Sequence, residues 1–325
     1  MARFAEILTE ESAAASLVVV DSLSLGPVAV GHRERAAGAF EEMFRQSFER
    51  SEGADEAPSP LAVRAIVAGI RRVVYRRLRA DRPEEVSEHL DDLLDWALSY
   101  RGQVAPTSVP PRRARAVPAS SPTSEEIDWE EPADSPRSRA GLTQRERIVR
   151  AAAQVAGAKG YASLTIPSIS AASGTSNQTF YEHFDGKEQA FLAAFDELAG
   201  RALLATRSGS SAGRDWRTSV EDGMLGLLEH LVADRNFARL AFFELPTAGA
   251  AALERADLAV QRFTEFLEPK ALPDGLTPLP PVVVEAIGGG MWAVIQHEIA
   301  AGRLSSLPEK APEIAAIALT PFDSR

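Results

Sequence analysis

The run Thr165-Ile166-Pro167-Ser168-Ile169-Ser170-Ala171-Ala172-Ser173-Gly174-Thr175-Ser176-Asn177-Gln178-Thr179-Phe180-Tyr181-Glu182-His183-Phe184 contains two short helices and the turn between them. Thr165 is an N-cap, a residue whose side-chain oxygen accepts from backbone N–H groups that lack an intrahelical partner, and the first helix runs from it through Ala172. Pro167 fits because it falls in the first turn, where a missing N–H leaves no hydrogen bond unmade. Ser173-Gly174-Thr175 makes a tight turn, with Gly174 supplying the glycine common there. Ser176 caps a second helix from Asn177 to His183. Upstream, Thr143 to Gly160 places Ile148, Ala151, Ala152, Val155 and Ala156 on one face, which predicts a supporting amphipathic helix stopped at Gly160. Together these make a helix-turn-helix, motif 165–184.

The second helix has two faces. Phe180 and Phe184, spaced i, i+4, are expected to pack inward against Ile148, Ile169 and Ala172. Asn177, Gln178, Thr179 and Tyr181 point elsewhere. Asn and Gln can bond adenine N6 and N7 in pairs, and Thr can touch a base edge or a thymine methyl. Tyr181 can reach a phosphate. Lys187, after Asp185-Gly186, adds its charge to a helix N-terminus that favours anions.

Residues 142–202 resemble the DNA-binding domain of TetR-family transcriptional regulators. The resemblance rests on Thr143-Gln144-Arg145-Glu146-Arg147-Ile148, Ala151-Ala152, Gly160-Tyr161, Leu164-Thr165, Ile169 and Gly174. It rests above all on Thr179-Phe180-Tyr181-Glu182-His183-Phe184 with Lys187-Glu188. It implies double-stranded operator DNA as partner, with Thr165, Ser176, Asn177, Gln178, Thr179, Tyr181, His183 and Lys187 as the DNA-facing set. It also implies a repressor that responds to a small-molecule effector. The competing class is a ligand- or partner-binding helical protein that has lost productive DNA binding. Two positions depart from the family pattern: Thr175 replaces a small aliphatic residue in the turn, and Pro167 stands where a polar contact residue is often found.

The surrounding chain fits an all-α protein of two or three domains. Its 325 residues are 45% hydrophobic and 25% charged, with no cysteine and a net charge of −11, so a disulfide scaffold and thiolate metal sites are excluded. No targeting or membrane-spanning stretch is apparent, which makes the cytoplasm the expected location. An acidic chain argues against nucleic acid until the charge is divided by segment. Residues 1–101 carry 13 basic and 18 acidic residues, 102–141 carry 5 and 6, 142–191 carry 5 and 4, and 192–325 carry 12 and 18. Only the helix-turn-helix segment is not negative.

Residues 102–141, with seven prolines and an acidic patch from Glu125 to Glu131, read as a linker. The expected division is 1–101, a TetR-like regulatory domain without its own helix-turn-helix; 102–141, the linker; 142–202, the DNA-binding domain; and 203–325, a helical ligand-binding and dimerisation domain. The first and last of these resemble each other. At an offset of 223, Leu17 pairs with Leu240, Asp21 with Glu244, Gly26 with Gly249 and Phe40 with Phe263. At an offset of 221, Ala65 pairs with Ala286, Ile66 with Ile287, Gly69 with Gly290, Val73 with Val294, Ala80 with Ala301 and Leu98 with Leu319. This is the pattern of a tandem duplication whose first copy lacks the equivalent of 142–223, or whose start lies further upstream.

The resemblance implies that the last two long helices, about 281–302 and 309–319, form a four-helix dimer interface holding two heads about 34 Å apart. The corresponding pair, 63–80 and 84–100, makes an intramolecular pseudo-dimer the alternative to a homodimer. An effector pocket is expected to be apolar, with Trp216, Phe237, Phe242, Phe243 and Trp292 as candidates. Neither an enzyme nor a cofactor site is expected. Gly209-Ser210-Ser211-Ala212-Gly213 matches a hydrolase elbow without the preceding strand it needs. The five histidines lack metal-ligand spacing. The Arg71–Arg79 stripe is expected to ion-pair with Glu84–Asp95, and the Arg112-Arg113-Ala114-Arg115 run to be solvated. Gly288-Gly289-Gly290 is expected to serve close helix packing.

Overall fold

A computed structural model describes residues 2–20, 27–52, 58–101, 142–209 and 215–323. The linker 102–141, its arginine run, and residues 210–213 of the elbow-like loop lie outside the described residues, as do Asp21 and Gly26 of the offset-223 pairing. The described elements are all helical, as the sequence predicts. They are α1 (Ala2–Glu10), α2 (Ser12–Val19), α3 (Pro27–Glu52), α4 (Pro60–Arg79), α5 (Glu85–Glu88), α6 (Leu90–Leu98), α7 (Gln144–Lys159), α8 (Ile166–Ser173), α9 (Asn177–His183), α10 (Lys187–Gly209), α11 (Trp216–Ala233), α12 (Arg235–Arg239), α13 (Ala250–Phe263), α14 (Pro281–Ala300) and α15 (Ala311–Asp323). A π-helical turn, Leu240–Glu244, follows α12. The single helix expected over 84–100 is two, because the backbone breaks at His89 (φ −99°, ψ 7°).

The chain forms two compact units. One contains residues up to 101, 209–225 and 260 onward; the other contains 142–208 and 226–259. The second unit therefore takes in more than the expected 142–202.

In the first unit α4 and α14 make the most extensive helix pair among the described residues, flanked by α6 and α15. The two central helices correspond at the offset of 221 from end to end. Both begin with proline, at Pro60 and Pro281, and both stop alike. The Ala80 N–H donates to Arg76 O and the Ala301 N–H to His297 O, each at 3.0 Å. Asp81 and Gly302 then turn left-handed, at φ 57° and 76°.

The contact between α4 and α14 is reciprocal. A Cβ added to Gly69 would lie 2.4 Å from Ala286 O, and one added to Gly290 would lie 2.7 Å from Ala65 O. Each partner of one glycine is thus the sequence equivalent of the other's, the signature of a two-fold, self-complementary contact. Missing side chains let the backbones close, and Ala65, Ile66, Val73, Val283, Ile287 and Val294 are buried around them. Each fully buried Val or Ile contributes roughly 1.5–3 kcal/mol, so this seam has the character of a core. Gly288 and Gly289 also serve close packing, against the Val260 and Arg72 side chains respectively.

Polar groups fasten the edges of the seam. The buried Tyr100 hydroxyl donates to Ile317 O at 2.6 Å and accepts from Trp96 Nε1 at 3.0 Å. Burial holds that phenol neutral by pushing its pKa up. In the arginine stripe, Arg77 pairs with Glu85, as expected of the adjacent helix, and also with Glu285 on α14, both at 3.0 Å. Arg76 shares Glu285 at 3.3 Å.

The offset-223 pairs are not alike in surroundings. Leu240 is fully buried, whereas Leu17 is 58% exposed. The resemblance of the two blocks is carried by their closing helices.

Gly69→Ala and Gly290→Ala are each expected to destabilise the protein by about 1–3 kcal/mol through overpacking. Gly38→Ala, in open space on α3, is expected to be neutral or stabilising by up to about 1 kcal/mol. Urea unfolding midpoints, compared at constant slope, check both.

Candidate nucleic-acid interface

The helix-turn-helix is built from caps outward. Thr143 and Glu146 form a reciprocal capping box at the start of α7, and the hydrogen bonds from Thr143 hold the Glu146 carboxyl below its ordinary pKa. Thr165 Oγ1 accepts from the Ser168 N–H at 3.3 Å, and Ser168 Oγ accepts from the Thr165 N–H at 3.1 Å. Gly174 ends α8 in the left-handed region (φ 67°, ψ 33°). The Thr175 N–H then returns to Ser170 O at 3.0 Å, closing the turn. Ser176 Oγ accepts from the Thr179 N–H at 3.0 Å and opens α9.

Packing fixes which face α9 shows. Phe180 and Phe184 are buried, their ring centroids 5.8 Å apart. Ile148 and Ile169 are fully buried, and Ala172 is half-buried. The Arg145 guanidinium lies 5.2 Å from the Phe184 ring centroid and closes that edge.

The predicted reading residues differ in exposure. Asn177, Gln178 and Tyr181 are exposed, Tyr181 by 60%. Thr179 is half-buried, its hydroxyl 3.0 Å from Ser176 Oγ. Thr165 and Ser176 are exposed, and each uses its oxygen as a helix cap. His183 is half-buried, and its Nε2 is enclosed without a hydrogen-bond partner. The Lys187 ammonium lies 4.7 Å over the Tyr161 ring and donates to Tyr161 O at 3.5 Å. Burial, and secondarily the charge of Glu188, pushes the Tyr161 hydroxyl pKa up, so the phenol beneath Lys187 stays neutral.

One part of the assembly is not marked by any motif. Glu244, at the end of the π-helical turn, accepts from the Tyr161 N–H at 2.7 Å and pairs with Arg239 at 3.1 Å. Arg239 also donates to Ala158 O at 3.2 Å. The segment after α12 thus clasps the C-terminal end of α7. The only sequence signal was a carboxylate closing the apolar run Leu240-Ala241-Phe242-Phe243.

The five expected effector-pocket aromatics are divided between the two units. Trp216 packs edge-on against Phe322 at 4.9 Å and donates to Phe266 O at 3.2 Å. Phe237 packs on Phe195 at 6.3 Å and beside His230 at 5.9 Å. Phe242 is buried, and Phe243 and Trp292 are half-buried.

A short helix presenting exposed amide and hydroxyl side chains, held by a glycine turn against two supporting helices, defines a helix-turn-helix domain of DNA-binding type. Residues 148–194 match the sequence model of the bacterial regulatory proteins of the tetR family. Members of the family are DNA-binding transcriptional regulators rather than enzymes. Solved structures similar to the chain include the fatty acid degradation regulator FadR from Bacillus halodurans (19% identity, TM-score 0.46, covering 55% of this chain and 95% of that one). FadR from Bacillus subtilis, in complex with stearoyl-CoA, is 15% identical with a TM-score of 0.45, covering 53% and 96%. A TetR family transcription regulator from Marinobacter aquaeolei VT8 is 19% identical with a TM-score of 0.42, covering 54% and 94%. Comparison with curated proteins gives no match. Among the described residues, no helix is long and apolar enough to cross a membrane.

Phe180→Ala is expected to cost about 3–5 kcal/mol and Gly174→Ala about 1–2 kcal/mol. Asn177→Ala and Gln178→Ala should stay within about 0.5 kcal/mol, because nothing is packed on them. Amide hydrogen exchange across 144–183 distinguishes these outcomes.

Proposed function

We propose that the protein is a cytoplasmic transcriptional repressor that binds operator DNA through α9 and responds to a small-molecule effector. The observation that carries this reading is the exposed Asn177-Gln178 pair at the start of α9, anchored from behind by buried Phe180 and Phe184. Recognition helices meet base edges with their N-terminal residues, and amide side chains suit adenine there. Thr165 caps its helix as an acceptor, which leaves its own hydroxyl proton for a phosphate oxygen. Tyr181 and Lys187 flank the same surface as further phosphate contacts, with His183 supporting α9 from its half-buried position.

We further propose that residues 1–101 are a second copy of the regulatory body, docked on the first as an intramolecular pseudo-dimer. This is supported by the reciprocal contacts of Gly69 and Gly290 and by the matched ends of α4 and α14. A homodimer would need that same surface on two chains, and here α4 already covers α14. A pseudo-dimer of this kind sets the 165–184 motif of the second copy against a half-site, and a motif preceding the first copy, if there is one, would supply the other half. With a net charge of only +1 over 142–191, a single head binds weakly and is salt-sensitive.

Fluorescence anisotropy with the DNA upstream of the gene tests the first proposal. Asn177→Ala or Gln178→Ala should cost about 1–3 kcal/mol at one or two base positions and relax preference there. Lys187→Gln should weaken all sequences alike and lower the salt slope by about one. The absence of any salt-sensitive binding would favour a ligand- or partner-binding protein instead.

Light scattering tests the second proposal. The expected solution mass is that of one chain, 34.9 kDa, across a hundredfold dilution. A compact dimer at all concentrations would overturn the pseudo-dimer.

A further inference from the structure

Two open cavities lie along the reciprocal seam, at positions that correspond at the offset of 221. One, about 430 Å³, is lined by Ala62, Tyr100, Ala316, Ile317 and Thr320 among others. The other, about 580 Å³, is lined by Val283, Pro321, Asp95, Trp96 and Ser99, the residues that match those five at the offset of 221. Position is shared and chemistry is not. The larger cavity has no basic residue on its wall, whereas the smaller gathers Arg64, His297, Arg303 and Lys310, with the carboxylates of Glu298 and Glu313 beside them.

The basic groups of the smaller cavity are held in place. Arg64 donates Nε and Nη2 to Glu41 at 3.0 and 2.9 Å. Arg303 does the same to the buried Glu298 at 2.7 and 2.9 Å. Each guanidinium is thereby oriented through one edge, and its Nη1 edge remains for another acceptor. Lys310 reaches Glu313 at 3.2 Å with one of its three protons. Burial and the neighbouring Arg64 charge lower the His297 pKa, so its imidazole is a neutral hydrogen-bonding group at pH 7. Leu61, Val294, Ile317 and Tyr100 supply apolar lining to the same cavity.

We propose that this cavity is a binding site for a small amphipathic carboxylate, its carboxyl group on Arg64, Arg303 and Lys310 and its apolar part on Leu61, Val294 and Ile317. The volume lies within the range of small-molecule sites. Arg64, Arg303 and Lys310 line the same cavity, each paired with a glutamate and each with further N–H groups that can donate to a carboxylate. The site draws one wall from each block, with Arg64 and Tyr100 from the first and His297 to Thr320 from the second. It is distinct from the aromatic residues expected to form an effector pocket, and it stands whether or not the helix-turn-helix binds DNA.

Isothermal titration of the full chain, without DNA, tests this with 4-phenylbutanoate and its uncharged isostere 4-phenylbutanamide. The acid is expected to bind and the amide to bind at least about tenfold more weakly, the loss of one charge-assisted contact. Arg64→Gln and Lys310→Gln should each weaken the acid about tenfold. Ala316→Phe, which fills the cavity and leaves every charge in place, should abolish binding. Arg303 is left intact because its removal would strand the buried Glu298. Equal binding of acid and amide, binding that survives Ala316→Phe in a folded protein, or no binding of the acid would each overturn the proposal.

Discussion

The close approach of α4 and α14 is the constraint on which the first unit depends. Two helix backbones can meet at carbonyl-to-Cα distance only where side chains are absent, and Gly69 and Gly290 supply that absence at matched positions. Once the central pair is closed, α6 and α15 have one place each along its flanks. The hydrogen bond from Tyr100 to Ile317 O then joins the flanking chain of one block to the last helix of the other. Even the ion pairs follow: Glu285 meets Arg76 and Arg77 because α14 lies within reach of α4.

In the second unit one face of α9 is buried and the other is exposed. The buried face of α9 is aromatic, and its exposed face carries Asn177, Gln178 and Tyr181. Caps join the two faces, since a serine or threonine oxygen that ends a helix also stands at its rim. The Glu244–Arg239 clasp belongs to support. It satisfies backbone groups where α7 ends and the chain turns toward α8, the point at which an unpaired N–H or C=O would be costly.

Most of the local structure was legible in the sequence because it is encoded locally. Thr165, Gly174 and Ser176 announce two helices and the turn between them within three or four residues of each boundary. The seam was legible for a different reason: the offset pairs Gly69/Gly290 and Ala65/Ala286 repeat the same small residues. What escaped depends on contacts distant in sequence. Glu244 meets Tyr161 across 83 positions, and nothing near either residue foretells it. The break at His89 follows no proline or glycine. The aromatic set of Trp216, Phe237, Phe242, Phe243 and Trp292 shares a residue type rather than a location. The basic cavity is equally silent in sequence, because Arg64 and Lys310 become neighbours only when the two blocks close.

In a self-complementary contact between identical chains, every substitution occurs twice and its effect is felt on both sides of the axis. The seam between α4 and α14 lies within one chain, so each position occurs once. Arg64 and Glu285 occupy corresponding places and carry opposite charges, an arrangement that identical subunits cannot adopt. Within one chain the two ends of this seam can differ, as they do here, while the Gly–Ala contact at its centre is symmetric.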